Sequence, residues 1–298
     1  MPGNVAESLA SRRPALWVEV SAPRGVNPEL LLRHLAALRG HVDAINLTDN
    51  ALGQVKMSGL AFASIIKARL EIPVVLNVSC RDRNRLALKS DLLGAGALGI
   101  DAVVALTGDK LPPGGAAAVH DLDAFSLLAM IAMLNCGDTG EGKERLKTLP
   151  SIYAGSVANP YRKNFEREIE LLERRARAGA KFVLTQPIFE AETARRFLAQ
   201  ASRLGIAVML GIMPIKRPGM AKYMQDRVKD LKGASLHLER YSGMSEDAAR
   251  AFSIKHNLEL MRSLGSEAAG FAIMSGGGPS LAIELALEFS KWRKAENL

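Results

Sequence analysis

Residues 182–205 read FVLTQPIFEAETARRFLAQASRLG, a strand pattern followed by a helix pattern. The first part is almost continuously apolar, as in a strand covered on both faces, and it ends in Gln186 and Pro187. A Gln amide buried without a partner is costly, whereas at the carboxyl end of a strand it can point into a site. The second part has helical periodicity and closes with Gly205, which is typical of the position after a helix.

The same unit recurs along the chain. Apolar strands that alternate with amphipathic helices indicate a parallel sheet covered by helices. A doubly wound open sheet has the same periodicity, but the number of units favours a closed (βα)8 TIM barrel, an α/β fold. We therefore predict a single barrel domain over residues 16–298 after a flexible lead-in over residues 1–15. The eight predicted strands are residues 16–23, 44–49, 73–80, 102–109, 151–157, 182–187, 207–214 and 269–275.

The composition argues against several classes of protein. The 298 residues carry a net charge of +8, but Lys and Arg are mixed with Glu along helices and aromatic residues are only 5%, so we expect no nucleic-acid surface. Cys80 and Cys136 form neither a CxxC pair nor a group with His, so we expect no metal site, no disulfide framework and a cytoplasmic location. No stretch approaches the roughly 18 unbroken apolar residues of a membrane span, so no membrane partner is expected.

Polar side chains collect at the carboxyl ends of the predicted strands. In a barrel these ends converge on one mouth, where barrel enzymes carry their working residues. The sequence therefore predicts one pocket that contains carboxylates, an amide and several hydroxyl groups. The residues are Glu19, Thr48, Asp49, Asn50, Asn77, Ser79, Thr107, Asp109, Thr185 and Gln186.

Three of these residues have both a chemical and a structural interpretation. Glu19 lies inside the apolar run LWVEV, where burial should raise its pKa as a general acid requires; the alternative is an ion pair with Arg24. Asp109 follows TG in a loop and is either a site carboxylate or a helix N-cap. Gln186 either binds a ligand or caps the helix that starts near Glu190.

Two further motifs are candidates for binding anions. GGGPS, residues 276–280, precedes the last helix and either cradles a phosphate or forms a flexible turn. CRDRNR, residues 80–85, brings three Arg to a helix entry. These Arg either bind an anion or pair with Asp82 and Asp91.

Together, these motifs resemble those of the methylenetetrahydrofolate reductase family of flavin-dependent (βα)8 barrels, and more closely its branch in acetogens and other one-carbon specialists. The resemblance implies interconversion of 5,10-methylenetetrahydrofolate and 5-methyltetrahydrofolate by hydride transfer through a flavin. NAD(P)H or an electron-transfer partner protein would reduce that flavin. The resemblance rests on VEVSAPRG, NLTDNALGQVKMS, VSCRDRNRLALKSDLLGAGALGID, ALTGDK, AGSVANP and AGAKFVLTQPIFEAE, in the family's order.

The resemblance also implies roles for individual residues. Glu19 matches the general acid that assists opening of the imidazolidine ring. Asp109 matches the carboxylate near the flavin and the pterin, and Gln186 matches the residue that hydrogen-bonds the pterin. The residues that match flavin contacts are Thr48, Asn77, Ser79, Thr107, Asp109, Asn159, Glu168 and Arg175.

The chain departs from the family's usual pattern at cofactor contacts. Thr107 stands where the usual motif has Arg, Asn77 stands where it has His, and Gly278 lies near another usual Arg. The implied cofactor is FAD, with FMN or direct use of NAD(P)H as alternatives. Two other functions stay open: a barrel that binds methyltetrahydrofolate for methyl transfer, and a partner-dependent subunit of a homo- or hetero-oligomer without NAD(P)H activity of its own.

Overall fold

Eight parallel strands close into one barrel. The computed structural model describes residues 5–100, 102–143, 145–227, 234–276 and 278–296. The strands follow one another around the barrel in chain order, and the first pairs with the last. This confirms the predicted TIM barrel. The strands are β1 (Ala15–Ser21), β2 (Ala44–Thr48), β3 (Val74–Ser79), β4 (Ala102–Leu106), β5 (Tyr153–Ala158), β6 (Phe182–Pro187), β7 (Ala207–Ile212) and β8 (Gly270–Ile273).

Helices cover the outside of the barrel, and outward-facing strand residues such as Val18, Ile45 and Phe271 belong to the main apolar core. Several of these helices begin at a side-chain cap, for example Asp123 and Ser245. In the part of the chain that the structure describes, no helix combines the length and the apolar character needed to cross a membrane. The helices after the first strand are α2 (Glu29–Ala36), α3 (Gly59–Leu70), α4 (Arg85–Ala97), α5 (Ala124–Asn135), α6 (Phe165–Arg177), α7 (Ala191–Ser202), α8 (Pro218–Arg227), α9 (Ser235–Glu239), α10 (Glu246–Leu264) and α11 (Ser280–Ala295).

Aromatic side chains fill the amino-terminal half of the barrel interior. The Trp17 ring lies edge-on to Phe182 at 5.4 Å between centroids, and Phe182 stacks on Tyr153 at 5.6 Å. A Cβ at Gly155 would lie 2.3 Å from the Phe182 ring, so only glycine leaves room for this packing. Because these rings close the lower half, the polar interior residues lie above them, towards the carboxyl ends of the strands.

Residues Val5–Ala10 form a helix, α1, in the segment predicted as a flexible lead-in. Val5 and Leu9 are buried and belong to the same apolar cluster as Trp17 in the barrel interior. Two apolar residues four positions apart are a weak helical signal in a sequence. The barrel supplies the surface on which this short amphipathic segment is stable, and the sequence alone does not reveal that surface.

Candidate active site

Polar side chains line the upper interior of β1, β2 and β3. Because strand residues alternate between the two faces, Trp17 in the apolar interior places Glu19 and Ser21 on the same face. Glu19 pairs in register with Asn46, and Ser21 pairs with Thr48. The hydroxyl groups of Ser21 and Thr48 are 2.7 Å apart. One wall of the barrel mouth is therefore polar.

Glu19 is partly accessible from the mouth and surrounded by the apolar interior below. Burial raises the pKa of its carboxyl from 4.5 to about 7. The predicted alternative, an ion pair with Arg24, is wrong: Arg24 donates instead to Gln54 Oε1 at 2.6 Å. An uncompensated carboxyl in such a place holds its proton near neutral pH, as a general acid must.

The raised pKa of Glu19 predicts a pH-dependent stability. Between pH 4.5 and about 7 the folded state binds a proton that the unfolded state releases, so the free energy of unfolding should fall as pH rises. Glu19→Gln removes the free-energy cost of ionising this buried carboxyl. We expect the variant to be more stable than the parent by on the order of 3 kcal/mol at pH 8 and by much less at pH 5. Urea unfolding at the two pH values measures the difference. Equal differences at both pH values would contradict the raised pKa.

Asp109 lies in the loop after β4, because the strand ends at Leu106 and not at Asp109 as predicted. Its side chain is exposed, and Oδ2 accepts a hydrogen bond of 2.7 Å from the backbone N–H of Leu52 in the loop after β2. The alternative role of helix N-cap is wrong, since Asp123 caps α5. Asp109 therefore presents a carboxylate at the rim of the mouth.

Arg81 fixes the loops on which Asp109 depends, a role that the sequence pattern did not predict. Its guanidinium is buried and donates to the carbonyls of Asp109 at 3.2 Å and Asn50 at 3.1 Å. Asp82 accepts from Nε at 2.6 Å and from Nη2 at 2.7 Å. The run of three Arg in CRDRNR was the feature of the sequence that could have indicated this role.

Arg83 forms a second connection between the same loops. It donates to both carboxylate oxygens of Asp49, at 2.7 and 3.0 Å, and it pairs with Asp91 at 2.9 Å. Of the two alternatives for CRDRNR, pairing with carboxylates is thus confirmed for Arg81 and Arg83. Their charges hold the loops together and are already neutralised.

Gln186 lies at the end of β6, and its side chain is partly accessible. The register between β6 and β7 shifts between Leu184 and Pro187, where Thr185 Oγ1 accepts from the Gly211 N–H at 2.9 Å. The predicted alternative role as a helix cap is wrong, because α7 has Glu190 at its N-cap position and no side-chain cap. Gln186 thus lies at the carboxyl end of β6, the end of the strand that borders the mouth.

The three residues lie at different points around the mouth. In a closed barrel of eight strands in chain order, β1 lies opposite β5, whose neighbours are β4 and β6. Gln186 at the end of β6 is therefore on the far side of the mouth from Glu19 on β1. Asp109 follows β4, but its carboxylate reaches the Leu52 N–H in the loop after β2, the strand next to β1.

The residues predicted to contact a flavin fall into two groups, those at the mouth and those on α6. Asn77 is 7% exposed, and its Oδ1 has no hydrogen-bond partner within the described ranges. Thr107 is exposed on the loop after β4, and Asn159 is buried just after β5. Ser79 is buried, and its Oγ accepts from the Arg81 N–H at 3.1 Å. Asn77, Thr107 and Asn159 are at positions from which they can meet a ligand.

Glu168 and Arg175 lie on α6, the helix that follows β5. The Glu168 carboxylate is 0% exposed and accepts from the Asn159 N–H at 3.0 Å and from Arg175 at 3.1 Å, and also from Arg162. Burial lowers the pKa of the Arg175 guanidinium, partly offset by Glu168. In this structure Glu168 supports the site by holding the loop that carries Asn159, while its own oxygens are occupied.

We expect Glu168→Gln to lower the free energy of unfolding by about 3 kcal/mol, because it leaves partly buried arginines without their counter-charge. Glu170→Gln is the matched control on the same helix. Glu170 also pairs with an arginine, Arg167, but both side chains are exposed, so its loss should cost less than about 1 kcal/mol. Urea unfolding measures the loss of stability in each variant. Equal losses would show that the buried ion pairs of Glu168 stabilise the fold no more than the exposed pair of Glu170.

Comparisons with known proteins identify the family of the chain. A family model for methylenetetrahydrofolate reductase matches residues 4–274. A probable methylenetetrahydrofolate reductase (NADPH) of Caenorhabditis elegans is 30% identical over 148 residues, which are 48% of this chain and 21% of that protein. The 5,10-methylenetetrahydrofolate reductase of Salmonella typhimurium is 27% identical over 185 residues, which are 61% of this chain and 57% of that protein. The chain thus spans less than two thirds of either relative.

Solved structures share the architecture. A Clostridium thermocellum protein that binds two copies of 5-methyl-5,6,7,8-tetrahydrofolic acid superposes with a TM-score of 0.60 at 16% identity, over 98% of this chain and 99% of that chain. This likeness shows a common barrel fold. The family match, in contrast, extends over nearly the whole sequence and includes every strand. The chain therefore belongs to the methylenetetrahydrofolate reductase family.

Proposed function

We propose that the chain interconverts 5,10-methylenetetrahydrofolate and 5-methyltetrahydrofolate by hydride transfer through a flavin. The family match supports the reaction, and one observation of the structure carries it to particular residues. This observation is Glu19, a carboxyl with a pKa of about 7 inside a barrel whose rim carries Asp109 and Gln186. Placement in the branch found in acetogens stays a prediction.

The proposed reaction needs a proton donor, a negative charge and a hydrogen-bonding amide, which Glu19, Asp109 and Gln186 would provide. Opening the imidazolidine ring breaks the bond between the bridging carbon and N10, and N10 then takes a proton that neutral Glu19 can supply. The bridging carbon stays bonded to N5 as an iminium in the same molecule, and the Asp109 carboxylate would stabilise its positive charge. The Gln186 amide has a donor and an acceptor, and both can pair with the edge of a pterin ring.

The residues at the mouth fit a flavin ring better than they fit phosphate groups. The unpartnered Asn77 Oδ1, the Thr48 hydroxyl and Asn159 are neutral groups suited to ring N–H and C=O groups. The guanidinium groups of Arg81 and Arg83 are already neutralised by carboxylates. When bound, a flavin would supply the hydride. We propose FAD as this group, with FMN or direct use of NAD(P)H as alternatives.

An absorption spectrum of the purified chain, followed by mass identification of any released flavin, tests the cofactor. Addition of 5-methyltetrahydrofolate without oxygen should then bleach the flavin absorption near 450 nm. A flavin that stays oxidised would overturn the proposed function. Methyl transfer to an acceptor without any redox change would select the methyl-transfer alternative instead.

The electron donor needs a separate experiment. Charged contacts that usually hold the cofactor in this family are replaced here by Thr107 and Gly278, which motivates a partner protein as an alternative to free NAD(P)H as the reductant. Under this interpretation the isolated chain would oxidise methyltetrahydrofolate with an artificial acceptor but would not oxidise NADH. Full NADH-dependent activity of the isolated chain would exclude a partner-dependent subunit.

A further inference from the structure

Asn46 has a buried side-chain amide whose presence the packing of the protein does not explain. It lies in the middle of β2 with no exposed surface, and neither its Oδ1 nor its Nδ2 has a hydrogen-bond partner within the described ranges. An amide that is buried and unpaired costs about 1–3 kcal/mol, so a natural core seldom contains one without a function. An apolar residue of the same size would fill this space at lower cost.

The neighbours of Asn46 indicate its partner. On one side it pairs in register with Glu19 of β1, and on the other side with Val75 of β3. Both Glu19 and Asn46 face the barrel interior, and adjacent strands lie about 4.8 Å apart. The two side chains make no direct hydrogen bond, and their ends are close enough for one water molecule to bridge them. Val75 offers no polar atom.

We propose that Asn46 is a positioning residue for Glu19, and that its amide N–H donates to one buried water that in turn donates a hydrogen bond to the Glu19 carboxyl. This leaves the acidic O–H free to point into the mouth. The consequence for catalysis rests on the function proposed above. When the O–H bond of Glu19 breaks and the proton passes to folate N10, the carboxylate that remains would be stabilised by the same amide.

The hydrogen bond has a direction that can be measured. A donor to a carboxyl group favours its ionised form, so Asn46 opposes the effect of burial on Glu19. Without this donor the anion becomes less favourable, and Glu19 should hold its proton to a higher pH. Asn46→Leu keeps the volume and removes the amide, and we expect it to fold because it introduces no unpaired polar atom.

The test is an infrared titration of the full chain, in which the protonated carboxyl band of Glu19 is identified by its absence from Glu19→Gln. In Asn46→Leu we expect the midpoint of this band to rise by about one pH unit. Two controls remove other unpartnered polar atoms: Trp17→Phe removes Nε1 from the interior, and Asn257→Leu removes Oδ1 from α10 together with the Nδ2 hydrogen bonds to Ser253. Neither control should move the midpoint.

The outcomes separate this proposal from the proposed function. An unchanged midpoint in Asn46→Leu, or a shift of the same size in Trp17→Phe, overturns the positioning role whether or not the chain reduces folate. A raised midpoint supports that role even if no flavin chemistry is found. Where flavin chemistry is found, the pH dependence of its reduction by methyltetrahydrofolate should shift upward in Asn46→Leu by the same amount, while reduction of the flavin by its electron donor stays unchanged.

Discussion

Replacing Glu19 with Gln should lower the rate of the folate half-reaction by about 10²- to 10⁴-fold, the usual contribution of a general acid. The amide has nearly the shape of the protonated carboxyl, so ligand binding and packing should persist. Reduction of the flavin by its electron donor needs no proton at folate N10 and should remain nearly unchanged. Rapid mixing without oxygen, with flavin absorption as the readout, measures the two half-reactions separately.

Glu19→Asp provides the control for position. It keeps an acid on β1 but withdraws the carboxyl by one methylene, so an intermediate loss in the folate half-reaction is expected. If Glu19→Gln slowed both half-reactions equally, Glu19 would act through the cofactor site and not as a proton donor. If neither half-reaction changed, another group would be the acid.

The fold and the polar mouth could be predicted because each depends on local pattern. Apolar runs separated by helical periods define the strands, and alternation along LWVEV places Glu19 opposite its apolar neighbours. The raised pKa of Glu19 follows from the same run. Strand ends were less certain: β4 stops at Leu106, because the chain turns at Gly108 with φ +97°, which a sequence pattern does not reveal.

Features that depend on contacts between distant segments could not be predicted. The helix FEREIELLERRARAG looks solvated along its whole length, yet Glu168 is buried because the loop after β5 folds over it. Arg83 and Asp49 are far apart in the sequence and pair only through the barrel. Asn46 was not recognised because its importance depends on its register with β1. In each case the deciding partner lies on another strand or loop.

Gly108→Ala should lower both the stability of the protein and the rate of the folate half-reaction more than other glycine-to-alanine changes at the mouth. Gly108 adopts a φ of +97°, which side chains rarely tolerate, and an added Cβ would lie 2.2 Å from Ser79 Oγ and 2.7 Å from the Arg81 Cβ. Strain and overlap together should cost about 3 kcal/mol. Because Arg81 holds the backbone of the adjacent Asp109, any relief of the overlap must move that carboxylate. A displacement of about 1 Å is enough to cost roughly 10²-fold in rate.

Gly114→Ala separates overlap from backbone strain. Gly114 lies in the same loop with a φ of +74°, but no atom lies within 4 Å of an added Cβ. Its substitution should cost only the strain of a positive φ, about 1 kcal/mol, and should leave the folate half-reaction nearly intact. Thermal unfolding and flavin reduction by methyltetrahydrofolate, measured on both variants, give the comparison. If the two variants lost equal stability and equal rate, the loss would come from reduced backbone freedom in the loop and not from overlap with Ser79 and Arg81. The inference that Arg81 holds Asp109 in place would then be contradicted.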